Sequence, residues 1–356
     1  MQNNEKMACM PHLGDYSLPV CMLIERCLGY KTMVAPTTTK KTVEIGSKNS
    51  PDTVCTPFKI TLGNYIEALE KGANVLIAPS VGCRLGFYDV LQKQILTDLG
   101  YEFEIVNLFE HAANATRIYR ALTVINPDLK QEDFDQALGL SARIVVDIDE
   151  LANFMRRNMA FELVKGKFEE EYSNYLRDVK NVKDKTEAEA LGNKYKEIFR
   201  NIKIDKPERP MRIGIIGDLY TVIEPHGNCH IEKWLAANKI EIIRAVDLTY
   251  LTKTLFDIEG CIAKSGGYVK YSLGGNANNT IALAYELAKE GIDGLIHMKA
   301  ATCSPEITAM TILQNIAKEF NVPIIYFTFD TETSETGLHT RLEAFNDMLI
   351  MKGAKA

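Results

Sequence analysis

Two short segments repeat one arrangement: "CTP" at residues 55–57 and "CSP" at residues 303–305. In each, a hydroxyl residue suited to a helix N-cap precedes a proline suited to the first helical position. After the second, Glu306 adds an acidic residue where the helix dipole favours one. A third cysteine, Cys83 in "LIAPSVGCRLGFYDVL", falls where an apolar run ends and a helical pattern begins. The expectation is three thiols at strand-to-helix junctions on the C-terminal edge of parallel sheets. Backbone N–H groups at such a point stabilise a thiolate. An iron–sulfur cluster held by thiolates is anionic and draws on the same donors. Cys55, Cys83 and Cys303 would therefore hold one [4Fe–4S] cluster and leave one iron open to a substrate oxygen, a sulfide or water. The competing reading is that small side chains fill tight junctions.

The other cysteines sort differently. Cys229, in "PHGNCHIEKW", is the reserve ligand, with Asn228 expected to cap a helix and Cys229 in its first turn. Cys9, Cys21, Cys27 and Cys261 are expected in the core, as small apolar side chains. The eight cysteines include no CxxC pair, so zinc ribbons and thioredoxin-type motifs have no support. His226 and His297 come nearest the expected site, each read as a satisfied polar residue. Gly217, Asp218, Tyr220, Glu224 and Asn228 follow a strand end and would line the site or satisfy their own loop. "SLGGNANNT" carries Gly274 and Gly275 before a helix but matches no standard phosphate-binding motif and is read as a tight turn. In "HTRLEAF", Thr340 and Glu343 are spaced as a capping box, leaving Arg341 to pair with "DTETSETG". No serine-hydrolase elbow and no HExxH is present.

The elements that must place these residues alternate. Apolar runs "MACMP", "KTMVAP", "ANVLIAPS" and "FEIVNL" are separated by helical patterns at 18–27, 58–70 and 87–99, the second expected to be amphipathic. Residues 131–205 are charged and helical in pattern. "MRIGIIGD", "IEIIRAV", "DGLIHM" and "VPIIYFTF" then alternate with helical patterns at 231–238, 279–290, 307–320 and 340–351. The fold class is α/β: two Rossmann/flavodoxin-like parallel-sheet domains facing across a cleft, plus a helical connector. The boundaries are 1–130 for the first domain, 131–205 for the connector and 206–356 for the second. At 356 residues the chain has room for two cores. Its 46% apolar and 25% charged composition is that of a globular protein, and a net charge of −6 argues against nucleic acid and anionic membranes as partners. No apolar run reaches membrane-spanning length and no signal-like N-terminal segment stands out, so a cytoplasmic location without structural disulfides is expected.

Three stretches carry a family resemblance: "NSPDTVCTPFKITLGNYIEALEKGANVLIAPS", "GIIGDLYTVIEPHGNCHIEKWL" and "IDGLIHMKAATCSPEITAMTILQNIAKEFNVPIIYFTFDTETSETGLHTRLEAF". The chain resembles the iron–sulfur subunits of the 2-hydroxyacyl-CoA dehydratase and benzoyl-CoA reductase superfamily. It looks most like the single-subunit, activase-related branch near the double-cubane proteins. The resemblance implies cluster ligation by Cys55, Cys83 and Cys303, and single low-potential electrons from a homodimeric ATP-hydrolysing activase with its own [4Fe–4S] cluster. It also implies a small-molecule substrate: a 2-hydroxyacyl-CoA in the dehydratase version, or a small molecule reduced directly by the cluster in the double-cubane version. In two copies meeting as a homodimer, the six cysteines would hold two cubanes or one sulfide-bridged double cubane. The alternative of another class is a non-catalytic electron carrier or activase-binding protein. A further alternative is a metal-free protein that binds its ligand in the cleft.

Overall fold

The computed structural model describes residues 5–78, 87–108, 114–254 and 257–353. The chain divides into two compact units. One comprises residues 1–151 and 171–200, the other residues 152–170 and 201–356. The charged helical stretch thus contributes to both units.

In the first unit, β1 (Met7–Met10), β2 (Lys31–Val34), β3 (Val75–Ala78) and β4 (Glu104–Asn107) form a parallel sheet in the order β2-β1-β3-β4. Helices α1 (Ser17–Leu28), α2 (Lys40–Lys48), α3 (Thr56–Glu70), α4 (Tyr88–Asp98) and α5 (Ala115–Ile125) connect and follow the strands. α6 (Gln131–Asn158) runs from this unit into the second, and α7 (Lys167–Asp178) and α8 (Lys185–Asn201) follow it. α1 ends at Gly29, whose φ of 67° is the left-handed conformation that glycine adopts without cost.

α3 is buried over more of its surface than one apolar face. Residues all round it are buried, among them Phe58, Ile60, Leu62, Asn64, Tyr65 and Ala68. The cause is α2, which covers its outer face. A Cβ at Gly46 would collide with the Lys59 carbonyl, and one at Gly63 with the Thr42 carbonyl. Two glycines therefore let the helix backbones touch.

The second unit repeats the topology. β5 (Met211–Gly217), β6 (Ile240–Arg244), β7 (Gly294–Ala300) and β8 (Ile324–Phe329) form a parallel sheet in the order β6-β5-β7-β8. Its helices are α9 (Leu219–Ile223), α10 (Ile231–Ala237), α11 (Leu248–Thr254), α12 (Ile258–Lys264), α13 (Ala277–Lys289), α14 (Ser304–Glu319) and α15 (Glu335–Gly353). Ile213, Ile215 and Ile216 of β5 pack with Leu295, Ile296 and Met298 of β7 in one apolar core. Such continuous apolar runs mark parallel strands covered on both faces. Two flavodoxin-like parallel sheets among helices are thus the architecture. In each, strand order reverses at the central pair, and sheets of this kind bind ligands there, beyond the strand C-termini.

α15 starts earlier than its capping-box spacing indicates. Ser334 takes the cap position, its Oγ accepting from Gly337 N at 3.4 Å and its carbonyl from Leu338 N at 3.0 Å. Thr340 lies inside the helix and donates back to the Thr336 carbonyl at 3.1 Å. Arg341 turns to the sheet, donating to the Tyr326 carbonyl at 2.7 Å and lying 4.6 Å over the Phe327 ring.

Among the described residues, no helix is long and apolar enough to cross a membrane.

Candidate functional site

The cysteines of "CTP" and "CSP" are themselves the N-caps, one residue ahead of the expected positions. Cys55 caps α3 with φ −71° and ψ 157°, and Cys303 caps α14 with φ −74° and ψ 93°. The threonine and serine become the first helical residues and the prolines the second. Neither thiol makes the usual side-chain cap bond to its helix. The sulfurs therefore lie at the start of helices of 15 and 16 residues without being used as caps.

Cys55 follows α2 rather than a strand, which corrects the strand-to-helix setting expected for it. The edge of the sheet is still the right one. α3 runs back into β3, so its N-terminus lies level with the C-terminal ends of the parallel strands. His12, two residues past β1, donates its N–H to Asn64 of α3 at 3.1 Å. The Cys55 sulfur contacts the hydroxyl of Tyr88, the first residue of α4, and Phe58 meets the Tyr88 ring edge-on at 5.0 Å. Cys83 lies outside the described residues, five positions before Tyr88 in the chain.

In the second unit the site is built on buried polar residues. Cys303 is half-buried, three residues past the end of β7. β5 ends at Gly217, with φ of 140°, where a Cβ would collide with the Met298 carbonyl. Asp218 then ties the central strands together. Its Oδ1 accepts from Thr221 N at 3.0 Å and its Oδ2 from Ala300 N at 2.7 Å. Burial raises the Asp218 pKa, and those two N–H donors oppose the rise. Asn276 Nδ2 and Thr280 Oγ1, both from the α13 region, donate to the Gly217 carbonyl at 2.8 and 3.2 Å. Thr280 also meets Glu306 Oε1 at 3.0 Å, and Glu306 Oε2 meets His297 Nε2 at 2.8 Å. The turn at Gly274 and Gly275, with φ of 82° and 52°, brings the chain against Pro305, so the glycines are a tight turn as read from sequence.

Lys299 completes this group. It is 4% exposed, in a strand whose seven residues are all buried. Desolvation lowers its pKa, and Cys303, Asp218 and Glu306 act against that fall. No motif in the sequence marks Lys299, and the position of Glu306 by itself indicates only a dipole partner. The signal was present: a lysine inside an otherwise buried strand needs an anion.

The reserve ligand Cys229 is not in a helix turn. Cys229 and His230 both adopt left-handed backbone, with φ of 54° and 51°, ahead of α10. Asn228 does not cap that helix but donates to the Thr221 carbonyl at 2.9 Å. α10 has seven residues, and burial together with Glu335 raises the Cys229 pKa. None of this favours a thiolate there. Cys9, Cys21, Cys27 and Cys261 are buried, as core cysteines should be. Burial pushes the thiols of Cys21 and Cys27 up to about 11.

Among the described residues no three His, Cys, Asp or Glu side chains group as metal ligands. Each unit, taken by itself, offers a thiol suited to an iron–sulfur cluster. Cys55 and Cys303 are thiols at helix starts, and beside Cys303 lies a buried ammonium with only long hydrogen bonds. In its own unit, each of these cysteines fits a ligand of an anionic, thiolate-held group.

Fold and site thus define an α/β protein of two parallel-sheet units, each with a cysteine capping a helix at the ligand-binding edge of its sheet. Compared with known proteins, the chain matches no family model and no curated protein.

Proposed function

We propose that this protein is a cytoplasmic iron–sulfur reductase or dehydratase component. Cys55, Cys83 and Cys303 would hold a [4Fe–4S]-type cluster, alone or in a double cubane shared between two copies. An ATP-hydrolysing activase with its own cluster would deliver low-potential electrons. The substrate is a small molecule activated by one electron, such as a 2-hydroxyacyl-CoA. When bound, the cluster supplies a one-electron donor and an iron position open to a substrate oxygen.

The single observation carrying this reading is that Cys55 and Cys303 both cap helices and neither spends its sulfur on the cap. The chain's own part is electrostatic. The two helix starts direct partial positive charge toward the sulfurs. Asp218 and Glu306 are held by hydrogen bonds beneath Cys303, which fixes the turn that carries it.

The test is electron delivery. The anaerobically reconstituted protein is mixed with activase, ATP and a low-potential reductant, and its visible absorption and EPR spectra are followed. Reduction that requires ATP supports the proposal. A protein that carries a cluster but is never reduced by the activase would overturn it, and reduction without turnover of any acyl-CoA or small oxidant would make it an electron carrier.

A further inference from the structure

Lys299 holds a buried positive charge that its protein partners do not fully satisfy. Its Nζ donates to the carbonyls of Ala300 and Ala301, both at 3.4 Å. Those lengths lie beyond the usual range for N–H···O bonds, and an ammonium has three protons to place. Two carboxylates act on its charge, but each is engaged elsewhere. Asp218 accepts from Thr221 N and Ala300 N, and Glu306 is taken up by Thr280 and His297. The remaining group acting on Lys299 is Cys303 at the start of α14, whose N–H donates at 3.1 Å to the same Ala300 carbonyl that the Lys299 ammonium reaches.

We propose that Lys299 is a positioning residue whose ammonium compensates the negative charge gathered at Cys303, and so makes a thiolate-held centre there easier to reduce. This rests on the reading given under Proposed function. One-electron reduction adds a negative charge to a centre already anionic. In a low-dielectric site a fixed cation offsets that charge strongly, and cluster potentials respond to local charge and hydrogen bonding. The cation lies on a rigid central strand, so its place is set before the electron arrives.

The test is an EPR-monitored redox titration of the full-length, anaerobically reconstituted protein as wild type, Lys299→Met and Lys299→Arg. Lys299→Met should lower the one-electron reduction equilibrium at least tenfold, a midpoint about 59 mV more negative. Lys299→Arg, which keeps the charge, should stay close to wild type. A smaller shift in Lys299→Met with iron content intact overturns the proposal. Should Lys299→Met fold but lose its iron while Lys299→Arg keeps it, the charge holds the cluster in place rather than setting its potential, and the proposal falls. Should neither variant fold, Lys299 belongs to the fold and the proposal falls. Absence of iron from the wild type removes the functional reading and this inference with it, whereas iron in the wild type with an unshifted Lys299→Met removes this inference alone.

Discussion

His297 and Glu306 meet at 2.8 Å with both side chains wholly excluded from solvent. One lies on β7 and the other in the first turn of α14, so the pair brackets the turn that carries Cys303. The carboxylate's other oxygen holds Thr280 of α13. Glu306 thereby fixes three elements at one point. Replacing it with alanine leaves the buried His297 Nε2 without its partner, while Thr280 keeps its bond to the Gly217 carbonyl, and the expected cost is about 2–3 kcal/mol. Urea unfolding at neutral pH measures it. A loss below about 1 kcal/mol, the typical effect of an ordinary substitution, would mean that the pair does not hold the turn.

The crossing of α2 and α3 makes a second prediction. Gly46→Ala and Gly63→Ala each drive a methyl group into a backbone carbonyl of the facing helix, which cannot swing aside as a side chain can. Each should destabilise by about 3 kcal/mol, the upper end for overpacking. Gly139→Ala is the control. It lies in α6 with only the end of the Lys185 side chain near, at 3.9 Å, and should stabilise by about 0.5–1 kcal/mol through helix propensity. Thermal melts of the three variants separate the outcomes, and equal effects at all three positions would contradict the close crossing.

That crossing also shows what the sequence made legible. The strands were readable because strands covered on both faces become continuous apolar runs, such as "VLIA" and "GIIG". α2 was not, because it has no apolar stripe. Thr42 and Gly46 are its buried residues, and it binds through backbone proximity that no hydrophobic period records. The cysteine positions were visible to within one residue, since Ser-Pro and Thr-Pro mark helix starts wherever they occur. The network below Cys303 was hidden because its members come from β5, α13, β7 and α14, and only folding brings them together.

The start of α15 can be checked directly. Ser334→Ala removes the observed cap and should cost about 1 kcal/mol. Thr340→Ala removes only a back-bond inside the helix, so its effect should lie within about 0.5 kcal/mol of zero. Chemical denaturation of the two variants compares them. The reverse order would restore Thr340 to the cap position that its spacing with Glu343 suggests.

Glu232 gives a prediction in pH. Burial pushes its pKa up, but the Arg156 and Arg244 guanidinium groups, at 3.1 and 2.7 Å, outweigh it and hold the pKa below the ordinary carboxylate value. A carboxylate with a depressed folded-state pKa stabilises the fold above its unfolded pKa, and that stability is lost as pH falls through the folded one. Glu232→Gln should therefore cost about 3 kcal/mol at pH 7, with the difference from wild type shrinking below about pH 4.5. Denaturant midpoints recorded from pH 7 downward test this. A difference that stays constant with pH would show that the carboxylate charge is not what the two arginines hold.

The proposed role of Cys303, at the N-cap of α14 three residues past β7, is to hold iron. Its most direct test is iron and acid-labile sulfide content, with EPR, on anaerobically purified wild type beside Cys303→Ser. About four irons per chain are expected in the wild type, as thiolate ligation of a cubane requires, and their loss is expected in the variant. A wild type that takes up no iron even on anaerobic reconstitution would contradict this role and return these cysteines to packing.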